Sequence, residues 1–255
     1  MSRSLGVVVP AYQPDVEALI PYISDLEAEL EPETLRVELD APQAETLAAL
    51  EATGATINAV DARRGKGAAI TAGFDALETD VLAFVDADGS TPAKSVADVV
   101  APVIQERTDL AVGSRRHPDA DVRSHQTILR QHLGDVFAWL GRRFLTVQLR
   151  DYQCGAKAMS REAWQSIRPS ISEPGFAWDV EVLGVAGALG HSITEVPVVW
   201  KDHPDSTVET SRAVPELLRA LFDVRRRIRK GGSEIADPAD TKHRPEGDTL
   251  VERDT

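Results

Sequence analysis

Val81-Leu82-Ala83-Phe84-Val85 runs without a polar residue into Asp86-Ala87-Asp88-Gly89-Ser90. An unbroken apolar run closed by an Asp-Gly pair describes a strand buried on both faces, as in a parallel sheet, ending in a turn. In an extended segment residues i and i+2 project to the same side, so Asp86 and Asp88 can share one hard cation. Carboxylates and substrate phosphates are the usual ligands of Mg²⁺ or Mn²⁺, and no nitrogen or sulfur ligand set stands nearby. A solvated acidic turn is the plainer alternative. A calcium EF-hand loop fits worse, because it would need Gly at Thr91 and Glu at Ala97.

Outward from this segment, similar runs recur at residues 5–9, 35–39, 56–60 and 110–112. Helical-period stretches at 16–30, 43–52, 67–77 and 92–106 separate them. This alternation predicts an α/β fold with a mostly parallel central sheet flanked by helices. The unusual polar residues fall in register with it: Pro10 and Tyr12 after the first strand, Asp40 after the second, Arg64 to Lys66 after the third, and Arg115 after the fifth. Ligands of open α/β sheets bind at the carboxyl ends of the strands, so these loops should converge on one crevice.

The second half predicts a helix at 128–144, a strand at 156–159, a helix at 180–189 and a strand at 192–200. Residues 212–230 then carry seven basic side chains against Glu216 and Asp223, a basic amphipathic helix that could rest on a membrane surface or pack on the sheet. Residues 231–255 are polar, acidic and poor in large apolar groups, which predicts a disordered tail. The expected organisation is one domain over 1–211, the basic helix and the tail.

Composition narrows the function. A net charge of -13 argues against nucleic acid as a partner. Only six of the 28 basic residues are lysine, a balance that resembles proteins of very salty cytoplasm. No apolar run reaches the roughly 20 residues of a membrane span, and the N-terminus lacks a secretory pattern, so a cytoplasmic location is expected. Cys154 is the single cysteine, which leaves no internal disulfide or cysteine zinc cluster and predicts a buried small hydrophobe. Arg63-Arg64-Gly65-Lys66-Gly67 precedes a helix, whose N-terminal amides favour an anion. It is not a Walker A loop, since Val60 and Gly67 stand where Gly and Ser/Thr are required.

In order, Val8-Val9-Pro10-Ala11-Tyr12, Arg64-Gly65-Lys66-Gly67-Ala68-Ala69, Val85-Asp86-Ala87-Asp88-Gly89 and Val112-Gly113-Ser114-Arg115 resemble the family-2 glycosyltransferases of GT-A (Rossmann-like) fold. Arg150-Asp151-Tyr152-Gln153-Cys154-Gly155-Ala156-Lys157, with Phe176-Ala177-Trp178-Asp179-Val180-Glu181 and Glu195-Val196-Pro197-Val198, looks like the polyprenyl-phosphate (dolichyl-phosphate) glucosyl- and mannosyltransferase branch. The resemblance implies an inverting, metal-dependent transfer of glucose or mannose from a nucleoside-diphosphate sugar to a polyprenyl or dolichyl phosphate at the cytoplasmic membrane face. It implies donor contacts from Pro10, Ala11, Tyr12, Asp40 (to the base), Arg64, Lys66, Asp86, Ala87 and Arg115. Asp86, Asp88 and Ser90 would hold Mg²⁺ or Mn²⁺. Asp88, Asp151, Gln153 and Asp179 would be catalytic, and Arg123, Arg130 and Lys201 would meet the acceptor. Plainer roles stay open: Asp40 as a helix cap, Arg115 as a surface arginine and Asp151 as a structural hydrogen-bonding group.

The chain departs from the family pattern where Ala41-Pro42 follow Asp40, and where Asp205-Ser206-Thr207 replace a Gly-Ser-Lys triplet. Lys201, His203 or Arg212 could supply the missing charge. Three other readings remain: transfer to a glycan or small-molecule hydroxyl, with Asp151 or Asp179 as base; an inactive nucleotide-sugar binding module; and a sugar nucleotidyltransferase, disfavoured because no glycine-rich loop follows the first strand.

Overall fold

In the computed structural model, residues 3–123 and 145–201 are described, with positions 141, 143 and 226. The predicted helix at 128–144 lies almost wholly outside these residues. So do Arg130, His203, Arg212, the basic segment (Arg226 apart) and the tail.

The first half alternates β1 (Leu5–Tyr12), α1 (Val16–Leu30), β2 (Thr34–Asp40), α2 (Ala44–Glu51), β3 (Thr56–Val60), α3 (Lys66–Ala76), β4 (Val81–Val85), α4 (Ala93–Ile104) and β5 (Leu110–Ser114). There follow β6 (Asp121–Arg123), β7 (Ala156–Ser160), α5 (Arg161–Ile167), α6 (Trp178–Ala188), β8 (Ile193–Pro197) and β9 (Val199–Lys201). The main sheet has the order β3-β2-β1-β4-β7-β5-β8. It is parallel except for β7, which runs antiparallel between β4 and β5. The predicted strand at 192–200 is two strands: β8 pairs with β5, whereas β9 leaves the sheet to form a parallel ribbon with β6. Val198, buried between them, marks the switch.

Alternation along the strands loads both faces of the sheet. In β1, Val7 and Val9 join one core with Leu19, Ile23 and Val37, while Val8 joins the other with Phe74, Phe84 and Trp178. Helix α1 starts at Asp15, whose carboxylate accepts from the N–H groups of Glu17 and Ala18, and it buries Leu19, Tyr22, Ile23 and Leu26 at helical spacing. Helix α6 has no polar face: every residue from Trp178 to Ala186 is buried. Asp179 and Glu181 thus carry charge into the interior, where each must be paired. Helix α5, not anticipated from the residue pattern, is capped by Ser160 accepting from the Ala163 N–H. Cys154 is fully buried, as expected, and burial pushes its thiol up to about 11.

Candidate active site

A cleft of about 280 Å³ opens beyond the carboxyl ends of β1, β2 and β4. Pro10, Ala11, Tyr12, Asp40, Lys66, Asp86, Ala87 and Asp88 all line it, with Asp15, Arg63, Gly65 and Phe176. Asp86 and Asp88 therefore share one cavity beside the glycine-flanked lysine. Asp86 keeps 38% of its side-chain surface open, and Asp88 is exposed. The Ser90 N–H donates to Asp88 Oδ1 at 2.9 Å, which orients that carboxylate. Ser90 itself is buried and is not among the cleft-lining residues. Tyr22 props the turn from below, its hydroxyl donating to the Thr91 carbonyl at 2.6 Å.

Lys66 does not stand free. Its Nζ lies 2.8 Å from Asp86 Oδ1 and 3.5 Å from Asp179 Oδ2. Burial works against its charge, but Asp179 and Asp86 outweigh burial and hold the ammonium protonated beyond its usual range. Asp86 responds oppositely: crowding by protein raises its pKa, Lys66 lowers it, and the Asp88 charge raises it again. Asp179, expected to be catalytic, is 2% exposed and does not line the cleft; it acts on Lys66.

Arg64, expected at the donor, turns toward two carboxylates. Arg64 Nε donates to Asp40 at 2.7 Å and its Nη1 lies 2.9 Å from Glu38. Asp40 also accepts from the N–H groups of Arg64 and Gly65, so it shapes the β3–α3 loop as well as lining the cleft. The neighbouring Arg63 lines the cleft instead, its guanidinium 4.2 Å from the centre of the Tyr12 ring. The glycines beside Lys66 serve close packing. Gly65 adopts φ 99°, and a Cβ there would come 2.5 Å from the Pro174 carbonyl oxygen. A Cβ on Gly67 would come as close to that of Glu173. The Ala68 N–H, one of the helix-terminal amides expected to face an anion, donates to the Pro174 carbonyl. Glu181, not anticipated as a site residue, fixes this loop by accepting from the N–H groups of Ser172 and Glu173.

On the far side, Arg115 grips Asp151 with Nε at 2.7 Å and Nη2 at 3.0 Å, over the Trp200 ring. The N–H groups of Arg115 and Gln153 also donate to Asp151. Burial opposes the charge on Asp151, but Arg115 and these bonds prevail and hold the carboxyl at about 2. A folded-state pKa below the unfolded value of about 3.9 contributes stability that is present above that value and lost as pH falls toward 2. Asp151→Asn should therefore cost about 2 kcal/mol or more at pH 7 and markedly less at pH 2.5, read from urea midpoints; an equal loss at both would contradict this. Arg115 is absent from the cleft lining. Of the acceptor candidates, Arg123 stands opposite Lys201 across the β6–β9 ribbon. The Lys201 N–H donates to the Ser90 carbonyl at 2.8 Å, which ties that ribbon to the Asp86–Asp88 turn.

Among the described residues no cluster of three or more His, Cys, Asp or Glu side chains could hold a metal ion. The oxygen-only pair at Asp86 and Asp88 nevertheless fits a hard divalent cation that completes its shell with water and phosphate. Charge points the same way: Asp15, Asp40, Asp86 and Asp88 line the cleft against Arg63 and Lys66. Carboxylates remain in excess even with Asp40 set against Arg64.

The family profile described as Glycosyl transferase family 2 matches residues 7–168, from β1 through α5. This chain belongs to glycosyl transferase family 2. The chain is 36% identical over 157 residues to Glycosyltransferase AglD of Haloferax volcanii, covering 60% of this chain and 24% of that protein. It is 30% identical over 181 residues to a dolichyl-phosphate beta-glucosyltransferase of Trichomonas vaginalis, covering 69% and 53%. The chain thus spans about half the length of that transferase and a quarter of AglD. In fold it matches glucosyl-3-phosphoglycerate synthase of Mycobacterium tuberculosis, solved with Mn²⁺, UDP-glucose and phosphoglyceric acid, with TM-score 0.64, 20% identity and 88% and 80% coverage. The architecture is the GT-A fold.

Proposed function

We propose that this glycosyltransferase moves a hexose, glucose or mannose, from a nucleoside-diphosphate sugar to a polyprenyl or dolichyl phosphate, with inversion. The observation that carries the choice of acceptor is the state of Asp151. A hydroxyl acceptor needs a general base with a pKa near the working pH, and a buried carboxylate held at about 2 by Arg115 is a poor one. A phosphate monoester loses its second proton near pH 6 and brings its own anionic oxygen.

The donor would lie in the cleft with its diphosphate toward Asp86, Asp88 and Lys66. Mg²⁺ or Mn²⁺ held by the two aspartates would supply the positive charge that this acid-rich lining lacks. The acceptor oxygen attacks the anomeric carbon from the face opposite the diphosphate; that C–O bond forms as the bond to the diphosphate breaks. Lys66 would balance charge on the departing group. Arg123, Arg130 and Lys201 remain the acceptor candidates, and the basic segment 212–230 would hold the protein at the cytoplasmic membrane surface. No helix among the described residues is long and apolar enough to cross a membrane.

The test is incubation with UDP-glucose or GDP-mannose, Mn²⁺ and dolichyl phosphate in anionic vesicles. Glycosyl phospholipid should form with a rate nearly flat above pH 7. Transfer only to hydroxyl acceptors, with a base limb near neutrality, would refute the phosphate acceptor. Equal vesicle pelleting by full-length and 1–211 chains would refute the membrane role.

A further inference from the structure

Lys157 ends the Arg150 to Lys157 motif, yet neither the cleft nor the proposed transfer gives it a task. It is 2% exposed and stands opposite Phe84 in the β4–β7 register. A lysine almost never lies this deep unless paired. Its Nζ donates to Asp179 Oδ1 at 2.6 Å and to the Cys154 carbonyl at 2.7 Å. The other oxygen of Asp179 faces Lys66, which in turn reaches Asp86. Four charges of alternating sign thus run from the core to the cleft. Both ammonium groups sit by one aromatic ring, with Lys66 Nζ 5.3 Å and Lys157 Nζ 5.5 Å from the centre of Phe84.

The order of these four charges decides which residue positions which. Asp179 is held by a short hydrogen bond from Lys157 and by a longer contact to Lys66. Without Lys157, one carboxylate would face Lys66 alone and draw the ammonium inward, away from Asp86. We infer that Lys157 is a positioning residue of the transfer reaction, holding Asp179 so that the Lys66 ammonium stays shared between the core and Asp86 at the edge of the cleft. It touches neither donor nor acceptor. The inference rests on the function proposed above for its kinetic consequence, but the geometry it asserts does not.

The experiment compares Lys157→Met, Lys157→Arg and the double variant Lys157→Met/Asp179→Asn in the full chain. Removing one partner of a buried pair destabilises strongly, whereas removing the charge of both is far milder; the double variant therefore keeps the test open should Lys157→Met fail to fold. In crystal structures the Lys66–Asp86 contact should be lost in Lys157→Met, where Asp179 keeps its charge, and kept in the double variant, where the inward pull is gone; a preserved contact in folded Lys157→Met, or a lost one in the double variant, would overturn the inference. With UDP-glucose, Mn²⁺ and dolichyl phosphate, folded Lys157→Met should lose at least tenfold in kcat while KM for UDP-glucose moves less than threefold, and the double variant should regain thermal stability together with most of that kcat. Lys157→Arg should restore part of kcat. A double variant that regains stability but not kcat would overturn the inference, and Lys157→Met with parental kcat would reduce Lys157 to a structural role. If the parent chain transfers no sugar, the proposed function fails, and the crystallographic distance still decides the inference.

Discussion

Asp88→Asn should lower kcat about 10³-fold, equivalent to about 4 kcal/mol of transition-state stabilisation, while leaving the fold intact. Asp88 is exposed, and its hydrogen bond is accepted from the Ser90 N–H. Asparagine keeps that acceptor oxygen and removes only the charge. Surface changes of this kind move stability by about 0.5 kcal/mol, so the melting temperature should stay within about 2 °C. Chemistry and folding are thereby separated: a large loss of kcat with an unchanged melting curve supports the metal-holding role, and wild-type turnover would remove Asp88 from the site.

Gly155→Ala should cost about 100-fold in activity although Gly155 carries no functional group. A Cβ at this position would overlap the Asp86 carboxylate well inside van der Waals contact. Neither backbone can retreat, because the Asp86 N–H donates to the Gly155 carbonyl at 2.9 Å beside the β4–β7 pairing. The Asp86 side chain must therefore rotate, and it leaves Lys66 when it does. Overpacking of this type costs about 1–3 kcal/mol of stability, which a well-packed double core should tolerate. Steady-state kinetics with a melting curve checks this; an alanine variant with parental kcat would show that Asp86 needs no fixed rotamer.

Asp88 and Gly155 differ in how plainly the amino-acid sequence announces them. Asp86 and Asp88 declare themselves, because a continuous apolar run fixes where β4 ends and hence which loop meets the ligand edge. Gly155 does not, since its crowding against Asp86 joins two strands far apart in the chain. Most helix and strand positions in the first half follow from hydrophobic periodicity, within a few residues. Loops have no such period. Nothing in Arg63-Arg64 tells which arginine faces the cleft; the structure turns Arg64 toward Glu38 and Asp40 and leaves Arg63 against Tyr12. Gly65 and Gly67 read as a phosphate cradle, but the close neighbour is the loop at 173–175, remote in sequence and invisible to local pattern.

Buried charge is equally hard to read from the chain. Asp151 and Asp179 look like candidate acids in a linear reading, and Glu181 draws no notice there, since a carboxylate's pairing is a tertiary fact. Arg115 pairs with the first, Lys66 and Lys157 with the second, and backbone N–H groups donate hydrogen bonds to the third. The sheet switch at Val198 is hidden for a related reason, because an apolar run does not say which partner strand each part will choose.

Isothermal titration of the full-length chain with UDP, in Mn²⁺ and in EDTA, probes the electrostatics of the cleft most directly. An acid-rich cleft whose lysine is already paired should bind the diphosphate at least tenfold more tightly with the cation, and Asp88→Asn should erase that difference. Equal affinity in EDTA and in Mn²⁺ would contradict it.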